Sequence, residues 1–162
     1  MATSRVERFR ALRDLLDVPA GATDMSAAGP CQERPAQPSS LPDEVLVGLS
    51  VLVPDTVLQQ ALHIIDAGEI SCVESRTGRC VYTVRGKTQS HAVLAGGLYC
   101  SCPFFGRRVL EAHGGDLCCK HWLAVQLARR SGGLGVASRS TLEEEEFADW
   151  ALQHLTMSVM PR

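Results

Sequence analysis

The chain has 162 residues, with 16 Lys/Arg against 18 Asp/Glu and a formal net charge of −2. That length suits one small domain with tails, or a domain with an interaction segment, and the near-neutral total supplies no global pull towards DNA or an acidic membrane. The opening "MATSRVERFR" has no apolar signal region and no apolar run reaches the length of a membrane span, so a soluble cytosolic or nuclear protein is expected, in which the seven cysteines stay reduced and clustered thiols read as metal ligands.

The total charge conceals an asymmetry. Residues 69–130 carry 9 basic against 4 acidic side chains, whereas residues 1–68 carry 5 against 9 and residues 131–162 carry 2 against 5. A basic middle between acidic flanks suits nucleic acid or an acidic partner, although charge alone favours a solvated surface.

In chain order, "SRVERFRALRDLLD" places Val6, Phe9, Leu12 and Leu16 on one stripe, so residues 1–17 hold an amphipathic helix. Residues 18–40 are rich in Pro, Gly, Ala and Ser without periodicity and read as a flexible linker that detaches this helix from the core, leaving it to dock back or to meet another protein. The compact region, 41–130, opens with a helical hairpin. Pro42 and Pro54 each suit the first turn of a helix, where the missing N–H was unpaired in any case. Val57, Leu58, Ala61, Leu62 and Ile65 form a stripe, Gly68 is the stop, and His63 is a packing or surface residue. Strands follow near 69–75, 79–85 and 88–94, broken at Thr77-Gly78 and Gly86-Lys87, giving a small antiparallel meander. Cys72 and Cys80 fall inside those strands as small hydrophobes. After an apolar helix at "KHWLAVQLARR", residues 131–140 read as a linker. A C-terminal helix spans 141–158, with Thr141 and Glu144 matching a capping box. The expected class is α+β: a helical hairpin, then a β-meander with a metal-stapled helix, flanked by end helices.

The densest chemistry lies in "YCSCPFFGRRVLEAHGGDLCCKHWLAVQLARR". Cys100 and Cys102 close a β-like segment, where residues i and i+2 point to one side. Cys119 and His121 cannot share a regular helix face, since i and i+2 diverge by about 200°. They must straddle a helix entry, with Cys119 near the N-cap, where unpaired N–H groups favour a thiolate. Three thiolates and one imidazole match a tetrahedral Zn²⁺ shell, and a filled Cys₃His shell leaves no open position for water, which makes the site structural. Cys118 can replace Cys119 as third ligand, giving C-x-x-H, but reads first as a thiol packed beside the centre, and His113 reads as a loop surface residue before a spare ligand. Arg107, Arg108 and Lys120 lie close enough in sequence to offset the net negative charge.

C-x-C followed by C-x-H-x-x-A, here Cys100, Cys102, Cys119, His121 and Ala124, resembles the SWIM-type zinc finger. Together with "LPDEVLVGLSVLV", "GRCVYTVRG" and "YCSCPFF", residues 41–130 resemble the zinc finger SWIM domain-containing protein 7 family, the SWIM subunit of the Shu complex. The resemblance implies a non-enzymatic nuclear protein that pairs with a recombinase paralogue-like ATPase and promotes homologous recombination, with roles in DNA repair, the DNA-damage response and meiosis. It implies that the zinc ligands are structural and support partner binding. The doubled Cys118-Cys119 and the N-terminal helix with its linker depart from the family pattern.

Ala124 shares a helix face with His121, and its methyl lets the segment carrying Cys100 approach closely. Phe104, Phe105 and Trp122 are expected around the metal, an exposed one suiting a partner pocket. A second reading is direct nucleic-acid binding through Arg76, Arg79, Arg85, Lys87, Arg107, Arg108, Arg129 and Arg130, although few aromatics are present for base stacking. No P-loop, dinucleotide turn or C-x-x-C supports an enzyme.

Overall fold

A computed structural model describes residues 4–16, 40–111 and 115–155. The linker expected at 18–40, apart from Ser40, lies outside the described residues, as do His113 and the last turn expected of the C-terminal helix. The fold is mixed α+β: a five-stranded sheet with helices on both faces. Among the described residues no helix is long and apolar enough to cross a membrane.

Helix α1, Arg5–Leu16, is not detached. It docks back on its own domain through buried Leu12 and Leu16, a Phe9 ring 6.5 Å from that of Trp122, and an Arg8 guanidinium that donates to the Leu52 carbonyl at 3.0 Å. Val6, expected on the same stripe, is exposed. The hairpin follows as α2, Asp43–Leu52, and α3, Asp55–Asp66. Pro42 and Pro54 sit one residue earlier than expected, at the N-caps, with φ near −60° and extended ψ values of 138° and 139°. That backbone matches the non-helical geometry of a cap. It also places Val53 in extended conformation before Pro54, which ends α2.

Gly68 ends α3 with φ +63°. Its N–H donates to the Ile65 carbonyl at 3.0 Å and that of Glu69 to the Ile64 carbonyl at 3.1 Å, the paired bonds of a Schellman motif. The chain then enters β1, Ile70–Ser75, β2, Cys80–Arg85, β3, Ser90–Leu94, and the two-residue β4, Tyr99–Cys100, all antiparallel in sequence order. These match the expected meander, and β4 extends it.

The region read as the linker 131–140 is the clearest correction. It contains most of a fifth strand, β5, Val136–Leu142, which runs parallel to β1 and completes the order β4-β3-β2-β1-β5. Its sequence, "VASRSTL", lacks the bulky alternation of a core strand, and five of its residues are exposed. An edge strand needs backbone pairing more than side-chain burial. It enters through Gly135, whose φ is +79° and where a Cβ would lie 2.6 Å from the Ile65 carbonyl oxygen.

One sheet face, with Ile70, Cys72, Tyr82, Val84, Val93 and Cys100, packs into the main core beneath α3 and α4, Lys120–Arg130. The other face buries Val73, Val81 and Ala92 beneath α5, Glu144–Leu155, through Phe147. The capping box expected from Thr141 and Glu144 is absent: Thr141 pairs with β1, and the first-turn bond runs from the Phe147 N–H to the Glu143 carbonyl at 2.8 Å. Glu144 instead reaches the β1–β2 turn. It accepts from the Thr77 N–H at 2.9 Å and pairs with Arg79, and these contacts, Thr77 foremost, hold its carboxyl at about 2.

This packing sets the outcome of three substitutions. Gly135→Ala is expected to cost about 1–3 kcal/mol in denaturant unfolding, because it forces a side chain into a left-handed backbone against α3. Gly97→Ala, at a site with open space, is expected to change stability by less than about 0.5 kcal/mol. Since Glu144 has a depressed folded-state pKa, it stabilises the fold above its ordinary value of 4.5 and loses that effect as pH falls towards about 2. Glu144→Gln is therefore expected to lower the melting temperature at pH 7, and the gap from the parent closes across that acid window.

Candidate metal centre

The donor atoms of Cys100, Cys102, Cys119 and His121 all lie within 4.8 Å of one another, and all four residues are buried. Two chain segments deliver them. Cys100 ends β4, hydrogen-bonded to β3 in the register Val93↔Cys100. The chain bends at Cys102 and enters a π-helical turn, Phe105–Leu110. From the other side, Cys119 is the N-cap of α4 and His121 lies in its first turn.

The two thiols that begin helical turns have matching surroundings. The Phe105 N–H donates to Cys102 Sγ at 3.3 Å, and the Trp122 N–H donates to Cys119 Sγ at 3.4 Å. In both cases the amide lies three residues beyond the sulfur, the position an N-cap side chain serves. Such donors favour a thiolate over a thiol.

The geometry fits a tetrahedral ion. With metal–sulfur bonds of about 2.3 Å and metal–nitrogen bonds of about 2.0–2.1 Å, a sulfur–nitrogen edge of a tetrahedral shell is about 3.6 Å, and Cys100 Sγ lies 3.9 Å from His121 Nδ1. The electrostatics point the same way. Hydrogen bonds with Cys100 and Cys119 hold the Cys102 thiol far below its ordinary value, whereas contacts with Cys102 and Cys119, together with burial, hold Cys100 far above. Cys119 is pushed up to about 12, the lowering effect of Cys100 being outweighed by Cys102 and by burial. Three buried sulfurs this close disfavour one another's ionisation, and a cation between them would offset that cost.

Cys118 is buried but lies outside this group, its thiol pushed up chiefly by burial. Of the two adjacent thiols, it is Cys119 whose sulfur lies within the four-donor group. Cys72 is buried and Cys80 half-buried in their strands, and His63 is exposed. Ala124, one turn beyond His121, is fully buried on the helix that contacts β3 and β4. Phe105 and Trp122 are buried, and Trp122 Nε1 donates to the Gly97 carbonyl at 2.8 Å. Gln126 Nε2 donates to the Ala95 carbonyl at 2.9 Å, so α4 grips the β3–β4 turn as well as the donor pair. Phe104 is 40% exposed.

The basic candidates separate into two sets. Arg76 pairs with Glu143 at 3.0 Å, Arg79 with Glu144, and Arg108 with Asp116 at 2.8 Å. Arg79 also lies 5.2 Å from the centre of the Phe147 ring. Arg85, Lys87 and Arg107 are exposed, and Arg129 donates to the Ala95 carbonyl at 3.4 Å. The expected basic surface is therefore partly neutralised by the acidic run that begins α5.

A neighbouring imidazole was not foreseen. His91, on β3, is buried with its ring 4.5 Å from that of His121. Burial first, then His121, lowers its pKa. Counting back through the turn from the pair Leu94↔Tyr99 places His91 beside Cys102, a signal available in sequence once that turn is recognised.

No family model matches the chain, and no solved structure matches it significantly. Three curated relatives do, all described as zinc finger SWIM domain-containing protein 7. The mouse protein (Mus musculus) is 37% identical over 90 residues, 55% of this chain and 58% of the relative. The human protein (Homo sapiens) is 40% identical over 90 residues, 55% of this chain and 63% of the relative. The zebrafish protein (Danio rerio) is 30% identical over 116 residues, 71% of this chain and 76% of the relative. The chain thus spans about three-fifths of the length of the two mammalian relatives.

The donor set assigns unequal roles to neighbouring thiols. Cys102→Ser is expected to abolish metal loading and lower the melting temperature, whereas Cys118→Ala keeps one metal per chain. Elemental analysis and thermal denaturation of the two purified variants check both outcomes, because metal binding and folding are coupled.

Proposed function

This chain belongs to the zinc finger SWIM domain-containing protein 7 family, and from that membership we propose that it is a non-enzymatic, zinc-binding adaptor of homologous recombination. It acts in the nucleus as the SWIM subunit of a Shu-type complex. There it pairs with a recombinase paralogue-like ATPase and promotes DNA repair after damage and recombination in meiosis. Single-stranded DNA is reached through the complex.

The observation that carries this reading is the closed donor shell. Four buried protein donors satisfy the tetrahedral preference of Zn²⁺ and leave no coordination position for water or substrate, which favours a structural ion over a catalytic one. When bound, the ion neutralises the thiolates and ties the end of β4 to the start of α4. Cys102 and Cys119 supply sulfurs steadied by backbone N–H groups, and His121 supplies Nδ1. The surface made rigid in this way suits partner recognition. Engagement of Arg76, Arg79 and Arg108 by acidic side chains weighs against the alternative of a nucleic-acid-binding finger that works alone.

Native mass spectrometry of the protein purified from cells reads metal and partner together. One zinc and one ATPase-sized subunit are expected, and Cys102→Ser is expected to lose both. A Cys102→Ser protein without zinc that keeps full partner affinity would contradict the proposal. The isolated protein is expected to bind single-stranded DNA negligibly at all salt concentrations. Tight binding whose log K falls steeply with log salt would instead support direct phosphate contact.

A further inference from the structure

His91 has no role in the four-donor set, yet its placement is specific. It is 9% exposed, and among the described residues its Nδ1 is a buried nitrogen without a hydrogen-bond partner. Few native buried polar atoms are left so, and each calls for an account. Its ring lies across that of His121, with centroids 4.5 Å apart and planes inclined by 37°. A Cβ on Gly86 would lie 3.2 Å from His91 Nε2 and 3.4 Å from Cδ2. The Nε2–Cδ2 side of the ring therefore faces the β2–β3 turn, and Nδ1 lies on the opposite side.

The strand register gives that nitrogen a neighbour. Val93 pairs with Cys100. The next step is closed by Ser101, whose N–H donates to the Ala92 carbonyl at 2.9 Å while its hydroxyl accepts from the Ala92 N–H at 2.9 Å. One further step sets His91 opposite Cys102. Residues 91 and 93 share a strand face, as do 100 and 102, and directly opposed side chains have Cβ atoms about 4.5–5.5 Å apart. His91 thus lies against the imidazole donor, and the register carries it towards the Cys102 sulfur of the same centre.

We propose that His91 is a positioning residue of the metal centre: its ring fixes the orientation of the His121 imidazole, and its Nδ1–H serves as an outer hydrogen-bond donor to the Cys102 thiolate when the ion is bound. Cys102 and Cys119 each receive a backbone N–H, and a side-chain donor adds to that set without adding a formal charge. Outer partners of this kind orient a ligand and temper its basicity, and losing one weakens metal affinity about 10–100-fold. The inference rests on the reading of the four donors as a metal site.

The test compares parent, His91→Phe and His91→Asn in the full chain. Phe keeps a ring against His121 without the N–H, whereas Asn places an amide donor near the Nδ1 position. Zinc affinity by competition with a chromophoric chelator is expected to fall about 10–100-fold for His91→Phe and to stay within about threefold of the parent for His91→Asn. After Co²⁺ substitution, His91→Phe is expected to shift the thiolate-to-cobalt charge-transfer band to lower energy, because the sulfur becomes more electron-rich; a merely structural role leaves that band in place. Parental affinity and an unmoved band in His91→Phe overturn the inference but leave the metal site standing. So does a His91→Asn protein as weak as His91→Phe, or a His91→Phe protein that fails to fold while His91→Asn also loses metal. A parent protein that takes up no metal overturns the metal reading and this inference with it.

Discussion

Three sulfurs and one imidazole, packed where water does not reach, set the condition on which this domain depends. Without a cation, close contact and burial work against ionising the thiols of Cys100, Cys102 and Cys119 together. A dication held there would remove that cost and tie together two distant chain segments. The surrounding structure is arranged to make the convergence possible. A short strand stops at Cys100, a bend turns Cys102 inward, and a helix begins one residue after Cys119 so that His121 comes round in its first turn.

The same helix carries the load outward. Trp122 and Gln126 bind the carbonyls of the β3–β4 turn, while the apolar side chains of α4 fill the space between the sheet and α3. Helix α1 extends this support: Phe9 leans on Trp122, and Arg5 donates to the Val109 carbonyl at the end of the π-helical turn. A segment that looks independent in sequence therefore contributes to the shell around the centre. The acidic start of α5 plays a comparable part on the other sheet face, where Glu143 and Glu144 answer Arg76 and Arg79 across the β1–β2 turn.

Much of this was legible in the residues themselves. The three meander strands announce themselves by β-branched runs between turn dipeptides, and Pro54 and Gly68 mark the limits of α3. The straddled helix entry follows from the geometry of i and i+2 alone. What escaped has physical causes. Strand β5 is an exposed edge, held by backbone pairing to β1 and by a left-handed glycine, so its side chains carry no strand signature. Thr141 and Glu144 satisfy the spacing of a cap, but tertiary pairing claims Thr141 for the sheet and the β1–β2 turn claims Glu144. The distinction between Cys118 and Cys119 needed the N-cap geometry, which sets which of two buried adjacent thiols joins the four-donor group. His91 needed the strand register, a property of two segments together.

The parallel pairing of β5 with β1 has a bearing on how the chain is made. β1 has β2 as one neighbour from the start, but its other edge stays open until a strand arrives from beyond α4. During synthesis the Cys100–His121 region emerges before that covering strand, so the soft-ligand centre can assemble while an unpaired strand margin is still presented to solvent. Unpaired margins recruit other strands. A metal clamp that held α4 against the young sheet would shorten the search for the late partner, since Val136 would then start only a short loop from a helix already fixed in place.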